Sequence, residues 1–355
     1  MNVGSPISSG YAYSTARVKA MEARLIGEES MKGIVQAKDI STILSMLAQT
    51  EYKKNLEEFG GLNIKSNMID FALSKNLALN VGKLITITPM EEKSIIRAIA
   101  GKWDIYNAEI AMEAKASGKK FEDISKYIID YGLYNVNVIK DIMNEASVEG
   151  LIERMMINSP YKDVLYEALE VYRRNKDVVE ANMLIDKLYY SKLGRLMPRI
   201  RNVSPESAFV VKLDIDMRNL LLMIRAKKYS IDFSEIKDNF IKGGELEISE
   251  LQSLYESSNN IYEIAKNAKV FDLGDAAEDY RNGRSKGLFG FEIEMRNQIF
   301  RKSMTLLKHA LLSFGAIVAY AYIKEIEVFT LRILISGKNY GLSQEEISRM
   351  MVWKG

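Results

Sequence analysis

The chain has 355 residues, 47% of them apolar, which is enough for two or three domains with buried cores or for one extended array. It contains no cysteine and a single histidine, His309, so disulfides, thiolate metal sites and clusters of histidine ligands are excluded. With 49 basic against 47 acidic residues, the formal net charge of +2 does not favour nucleic acid as the main partner.

The N-terminal segment gives the first sign of an internal repeat. Residues 1–19 lack the charged start and apolar run of a secretory signal, so we expect a cytoplasmic chain. Residues 20–27 read AMEARLIG and residues 111–118 read AMEAKASG, which is five identical letters in eight. A sequence match this short needs further copies before it indicates an internal repeat.

Short capped helices recur along the chain. Apolar residues at helical spacing predict one helix over residues 40–47, with Asp39 as its N-cap. The same pattern predicts a second helix over residues 148–155, capped by Ser147, and a third over residues 248–255. We interpret the three as copies of one short helix.

Helical periodicity dominates the remaining sequence. Only Leu84–Thr88 alternates as a strand would, and five prolines in the whole chain leave long helices uninterrupted. The longest uncharged apolar run, Ala310–Ile323, is shorter than the roughly 20 residues that a membrane-spanning helix needs. We predict that this run is a buried core helix and that the fold class is all-α.

A longer repeat appears when the sequence is shifted by 112 residues. Residues 104–124 then match residues 216–236 without a gap and with six identities in 21 positions. A further shift of 111 aligns weaker counterparts near the C-terminus. The repeated polar signature comprises Asp104, Asn107 and Lys115; Asp216, Asn219 and Lys227; and Glu327, Thr330 and Lys338.

The spacing of the signature has a physical interpretation. Asp104, Asn107, Ala111, Ala114 and Lys115 lie along one stripe of a helix. Small and hydrogen-bonding residues on one stripe suit a helix that packs closely on its neighbour through polar contacts. We favour packing over a ligand site, because nothing typical of a metal or phosphate site accompanies the stripe.

The repeats predict the organisation of the chain. The signature helix occurs four times, counting the match at residues 20–27, and the short capped helix occurs three times. We predict three similar helical domains, residues 1–125, 126–237 and 238–355. The N-terminal helix and the C-terminal segment Lys324–Met351 are expected to cap the array at its ends.

The sequence offers little that is typical of catalysis. Gly118–Lys119 lacks the preceding glycine of a phosphate loop, since Glu113 stands in its place. Glu325 and Glu327 are spaced i, i+2 and therefore point to different faces of a helix, so we predict structural or solvated carboxylates rather than an acid–base pair.

One stretch carries an excess of positive charge. Between Lys192 and Lys228 nine basic residues stand against three acidic ones. The stretch is either an ordinary solvated surface or a docking face for an acidic partner or anionic lipid head groups. The candidate partner-facing surface comprises Lys192, Arg195, Arg199 and Arg201.

Three segments, at both ends and in the middle of the chain, carry a family resemblance. Residues 11–26 read YAYSTARVKAMEARLI, with Thr15 where the family pattern has asparagine, and residues 180–193 read EANMLIDKLYYSKL. Residues 321–347 read AYIKEIEVFTLRILISGKNYGLSQEEI. In this order they resemble the C subunit of archaeal-type (A/V-type) ATP synthases, the counterpart of the d subunit of vacuolar ATPases. The matching residues are Tyr11, Tyr13, Ala16, Arg17, Glu22, Arg24, Leu25, Lys324, Glu325, Glu327, Leu331, Arg332, Ile333, Gly337, Lys338, Gly341, Leu342, Glu345 and Ile347.

The resemblance implies a funnel-shaped protein of three similar domains about a pseudo-threefold axis. It also implies a socket between the central stalk and the proteolipid ring of the membrane rotor, on the cytoplasmic face of the cell membrane. Torque would pass through the socket during ATP synthesis or hydrolysis coupled to proton or sodium transport. The implied partners are the central-stalk subunits and the ring, with no catalytic residue, cofactor, metal, nucleic acid or small-molecule substrate.

Two alternatives share the composition and the repeat. One is an all-helical scaffold or adaptor unconnected with a rotary ATPase, which association with a membrane complex would distinguish. The other is a metal-dependent carboxylate enzyme, which would need facing Asp and Glu side chains on neighbouring helices.

Overall fold

Helices joined by turns and loops make up the described structure. The computed structural model describes residues 9–64, 66–284, 287–310 and 312–352. No β-strand occurs in these ranges, so the predicted all-α class is confirmed. Three 3₁₀ turns accompany the α-helices, at Gly61–Asn63, Ser125–Tyr127 and Lys237–Asn239.

The α-helices are numbered in chain order. The first seven are α1 (Ser9–Glu22), α2 (Glu28–Gln36), α3 (Ile40–Leu47), α4 (Lys53–Glu58), α5 (Ser66–Ile87), α6 (Lys93–Ala100) and α7 (Lys102–Ala116). The next seven are α8 (Phe121–Ile124), α9 (Val136–Ile142), α10 (Val148–Met156), α11 (Lys162–Asn175), α12 (Val178–Arg195), α13 (Met197–Val203) and α14 (Pro205–Lys228). The last seven are α15 (Phe233–Ile236), α16 (Ile248–Ser257), α17 (Ile261–Asn267), α18 (Gly274–Arg281), α19 (Phe289–His309), α20 (Phe314–Asn339) and α21 (Gln344–Arg349).

The predicted short helices begin at their predicted caps. Asp39 accepts a hydrogen bond from the backbone N–H of Thr42 at 2.8 Å at the start of α3. Ser147 accepts one from the N–H of Gly150 at 3.1 Å at the start of α10. Each side chain satisfies a backbone donor that the first helical turn leaves free, so the caps are confirmed.

The strand-like segment Leu84–Thr88 is not a strand. Its first four residues form the last turn of α5, where Leu84 and Ile87 are buried on one side at i, i+3 spacing. The alternation is only five residues long and has no partner strand, so the helical pattern of the preceding residues prevails.

Helix α20 lies at the centre of the fold. Its first half packs into the larger of two hydrophobic clusters, so the predicted core helix is confirmed for residues 314–323. The start of the predicted run is not part of this helix, because the chain turns at Leu312, whose φ is 51°, and residue 311 lies outside the described ranges. Its second half packs into a second cluster through Val328, Leu331 and Leu334. Among the described residues, no helix is long and apolar enough to cross a bilayer.

The two ends of the chain meet in the second cluster. Described residues between Ile26 and Val81 supply one side of it, α20 with α21 supplies the other, and Ala100, Trp103 and Ile129 complete it. Helix α1 packs against α5 and α20, and α21 packs against α2 and α20. Neither α1 nor α21 projects free of the core, so the first and last described helices of the chain pack onto one body. The division at residues 125 and 237 stays a prediction.

Candidate functional site

The polar signature of α7 holds the chain segment that follows it. Asn107 donates from Nδ2 to the carbonyls of Ile129 at 2.7 Å and Tyr134 at 3.0 Å, and its Oδ1 accepts from the N–H of Ile129 at 2.9 Å. Asp104 accepts from the N–H of Tyr134 at 3.0 Å. Lys115 donates to the carbonyl of Met143 at 2.8 Å, so all three signature side chains bind backbone groups.

The signature of α14 makes the same contacts at the same sequence separations. Asn219 exchanges two hydrogen bonds of 2.9 Å with the backbone of Ile241, 22 residues later, as Asn107 does with Ile129. Lys227 donates to the carbonyl of Tyr255, 28 residues later, which is also the separation from Lys115 to Met143. The short helices that follow, α8 and α15, are likewise 112 residues apart.

The third signature, on α20, binds both ends of the chain. Thr330 donates from Oγ1 to the carbonyl of Val352 at 2.8 Å, again 22 residues later. Glu327, the counterpart of Asp104 and Asp216, accepts from the N–H of Ile26 at 2.7 Å. Lys338 departs from the pattern and donates to the side chain of Gln344 at 2.7 Å.

Two glycines belong to this arrangement and were missed by the sequence analysis. Gly132 and Gly244 lie 28 residues after Asp104 and Asp216, and a Cβ atom on either would overlap the carboxylate of its aspartate. The carboxylates approach the backbone so closely that only glycine fits there. Each glycine follows its aspartate by the same number of residues, and this equal spacing could have been found in the sequence. The ungapped match between the repeats ends before the two glycines.

Burial changes the acidity of the signature aspartates. Burial raises the pKa of the Asp216 carboxyl to about 7, against the opposing effect of the N–H groups of Glu245 and Leu246. Burial also raises the pKa of Asp104, which the N–H of Tyr134 and the hydroxyl of Tyr161 oppose. These carboxylates are structural acceptors, consistent with the packing interpretation of the stripe.

The three signature helices meet at one point, which we call the hub. Lys102, Asp214 and Glu325 each stand two residues before the acidic residue of their signature. The Lys102 ammonium forms an ion pair with Glu325 and lies 3.8 Å from the Asp214 carboxylate. Equivalent positions of three helices are therefore joined by one lysine.

Neighbouring side chains complete the hub. Tyr322 donates to Asp214 at 3.1 Å, and its ring lies 4.4 Å from the Lys102 nitrogen. Burial on its own would raise the pKa of Asp214, but Lys102 and Arg218 hold it below its usual value. Asp214 is therefore an ionised carboxylate held between two cations.

A second buried charge cluster lies further along α20. Lys324 forms an ion pair with Glu51 and donates to Glu327 at 2.6 Å and to the hydroxyl of Tyr52 at 2.9 Å. Tyr52 in turn donates to Glu327 at 2.7 Å. Lys324 and Glu327 are 1% and 0% exposed, so Glu327 is a structural carboxylate that links the C-terminal helix to the N-terminal segment.

The candidate basic surface occupies the end of α12 and the whole of α13. Arg195, Arg199 and Arg201 are exposed, whereas Lys192 is half-buried and lies 3.7 Å from Asp163. Arg199 also donates to the carbonyl of Glu91 at 2.6 Å. Further along the basic stretch Lys212 and Arg218 are ion-paired within the fold and Lys227 binds a backbone carbonyl. Arg225 and Lys228 are exposed at the end of α14, outside the candidate surface.

The described ranges contain no group of three or more His, Asp or Glu side chains placed to hold a metal ion. What the structure brings together is therefore a set of internal clamps and a set of charged surfaces.

Replacing Asn219 by alanine is expected to lower the free energy of unfolding by about 2–4 kcal/mol, because each buried backbone group left unpaired costs roughly 1–3 kcal/mol. Replacing Asn107 is expected to have a similar effect, since it binds the equivalent backbone groups. Urea denaturation followed by circular dichroism measures both.

The matched control is exposed Asn175, whose side chain binds only Glu180 among the described residues. N175A is expected to change the free energy of unfolding by less than about 0.5 kcal/mol. A loss in N107A and N219A no larger than that in N175A would show that the repeated asparagines do not clamp the fold.

Comparison with known proteins gives a match along nearly the whole chain. The family model described as ATP synthase (C/AC39) subunit matches residues 14–350. The chain is similar to the A-type ATP synthase C subunit of Methanosarcina mazei, with 28% identity over 97% of this chain and 93% of the relative. Similar relatives occur in Archaeoglobus fulgidus (28% identity, 97% and 96% coverage) and Thermoplasma volcanium (22% identity, 96% and 98% coverage).

Proposed function

The chain belongs to the ATP synthase (C/AC39) subunit family, and on that premise we propose that it is the socket that joins the central stalk of an A-type ATP synthase to the membrane rotor ring. The chain is thus part of a rotary ATPase without being its catalytic component. In the proposed role it transmits torque in ATP synthesis or hydrolysis coupled to proton or sodium transport. It would lie on the cytoplasmic face of the cell membrane as a peripheral protein.

One observation in particular supports the socket role. Three equivalent helix positions converge on the hub, and the two ends of the chain close on each other through α20. Such a closed body resists twisting better than an open array, because no repeat is left with a free end. The convergence also supports the proposed three-domain arrangement about a pseudo-threefold axis.

The two alternative functions considered from the sequence are less consistent with these observations. A scaffold unconnected with a rotary ATPase does not agree with the family membership. A metal-dependent carboxylate enzyme finds no support in the described residues, whose repeated carboxylates bind the backbone of the chain itself.

Co-purification tests the proposal. The tagged protein would be isolated from native membranes in mild detergent and its partners identified by mass spectrometry. We expect both the ring proteolipid and central-stalk subunits. Recovery of soluble proteins alone, under conditions that keep the ATPase intact, would refute the socket role.

Reversing the charge of the candidate basic surface is expected to weaken assembly. The variant R195E/R199E/R201E should associate at least about tenfold more weakly with either the central stalk or the membrane ring, because three exposed cations become anions. Quantitative co-purification measures the loss, and thermal unfolding checks that the fold persists without the Arg199 contact to Glu91.

The matched control reverses three exposed lysines elsewhere, in K38E/K237E/K269E. It is expected to assemble like the unaltered protein. If R195E/R199E/R201E also assembles normally, the basic surface is an ordinary solvated one.

A further inference from the structure

Two adjoining cavities form one groove between the end of α1, the α3–α4 region and α5. Their volumes are about 940 Å³ and 440 Å³, and both are lined by Leu79 and Lys83 of α5. The first cavity extends towards Arg24 and Lys54, and the second towards Tyr13. We call the combined feature the α1/α5 groove.

The groove concentrates positive charge in a nearly neutral chain. Its acidic lining residues are three: Glu51 pairs with Lys324, Glu58 pairs with Lys75, and exposed Asp130 accepts a hydrogen bond from the N–H of Val136 at 3.3 Å. Four of its cations, by contrast, have no ion-pair partner among the described residues. These four are Arg17, Arg24, Lys54 and Lys83. An anionic occupant would therefore gain favourable interactions without displacing existing pairs.

The groove also has an apolar side and a preformed polar floor. Leu79 and Tyr13 are 49% and 61% exposed within it. On the floor, the amide of Asn76 donates to Asn55 at 2.9 Å and the amide of Asn80 donates to the carbonyl of Asn76 at 2.9 Å. The hydroxyl of Tyr320 donates to Asn80 at 3.0 Å, which joins this floor to α20.

The rest of the chain does not supply an acidic occupant. The residues outside the described ranges are 1–8, 65, 285–286, 311 and 353–355, and none of them is aspartate or glutamate. Every acidic side chain therefore belongs to the described structure, where none pairs with the four cations. An acidic segment of another molecule would supply the matching charge.

We propose that the α1/α5 groove binds an acidic amphipathic helix of another protein of the assembly. Its cations match a row of carboxylates, and Leu79 and Tyr13 match the apolar residues that such a helix carries at i, i+3 and i+4 spacing. A protein helix fits better than a lipid surface, because the charges surround a concave, partly apolar groove. The proposal rests on the proposed function in one respect, that the partner belongs to the same ATP synthase.

The first test needs the purified full-length chain alone. The probe is a fluorescently labelled synthetic helix with glutamates on one face and leucines on the other, and binding is followed by fluorescence anisotropy. We expect R24E/K54E/K83E to weaken binding at least about tenfold, and K38E/K237E/K269E to leave it nearly unchanged. Raising the salt concentration should weaken binding to the unaltered protein.

Two results would overturn the proposal. One is equal affinity of the charge-reversed groove variant and the unaltered protein for the peptide. The other is a groove-dependent affinity for vesicles of anionic phospholipid with none for the peptide. Circular dichroism checks that R24E/K54E/K83E is folded. We expect the fold to persist, because Arg24 and Lys54 are exposed.

A second test identifies the partner in the assembled enzyme. A photo-crosslinking amino acid replaces Leu79, and exposed Ile157, outside the groove, serves as the control position. We expect a cross-link from position 79 to an acidic segment of another protein of the complex. Its absence from an assembled complex overturns the proposal. If the peptide binds as expected but no other ATPase protein co-purifies with the chain, groove binding is supported and the socket role is refuted.

Discussion

Replacement of Lys324 by methionine is expected to lower the free energy of unfolding by about 3–5 kcal/mol, the cost of leaving a buried charge without its partner. Lys324 and Glu327 are almost completely buried, and the Tyr52 hydroxyl binds both. Burial and Glu327 raise the pKa of Tyr52 well above its usual value, so the phenol stays neutral and cannot replace the lost cation. Urea denaturation measures the loss.

Two variants test whether the loss of stability is specific to the buried ion pair between Lys324 and Glu327. K324M/E327Q should recover part of the lost stability, because glutamine is neutral and its oxygen can still accept from the N–H of Ile26. K32M removes the exposed ion pairs with Glu28 and Glu29 and should cost no more than about 1 kcal/mol. A K324M variant as stable as K32M would show that the cluster does not hold the chain ends together.

The second large effect is expected at the hub. Replacing Lys102 by methionine should lower the free energy of unfolding by about 2–4 kcal/mol, because Asp214 and Glu325 lose their shared cation. The loss is smaller than at Lys324, since Glu325 is 23% exposed and Arg218 still lies near Asp214.

The hub variant also has a structural consequence that can be measured. With the three helices no longer joined, backbone amides of α7, α14 and α20 near the hub should exchange hydrogen faster than in the unaltered protein. K102M/E325Q should recover part of the stability, because only Asp214 is then left to be compensated by Arg218. Unchanged exchange and stability in K102M would mean that the hub does not join the repeats.

Local features of this fold were predictable from the sequence. The caps at Asp39 and Ser147 follow from short-range chemistry, and the spacing of Asp104 and Asn107 indicated a polar packing stripe. These features depend on residues a few positions apart, where helical geometry fixes which side chains can meet.

Contacts between distant segments were not predictable. Lys102, Asp214 and Glu325 occupy equivalent positions but are different residue types, so a search for identical letters passes over them. The hydrogen bond between Tyr52 and Glu327 joins residues 275 positions apart, and nothing in either segment signals the other. The charge excess after Lys192 likewise did not reveal that Arg218 and Lys212 are paired inside the fold.

The most direct test of the socket role is reconstitution from purified parts. The membrane ring and the central stalk would be mixed with and without this protein, and complexes separated by size and identified by mass spectrometry. We expect stalk and ring to associate only when the protein is present, in a complex containing all three. Association of stalk and ring without it, or binding of the protein to neither, would show that the protein is not the socket.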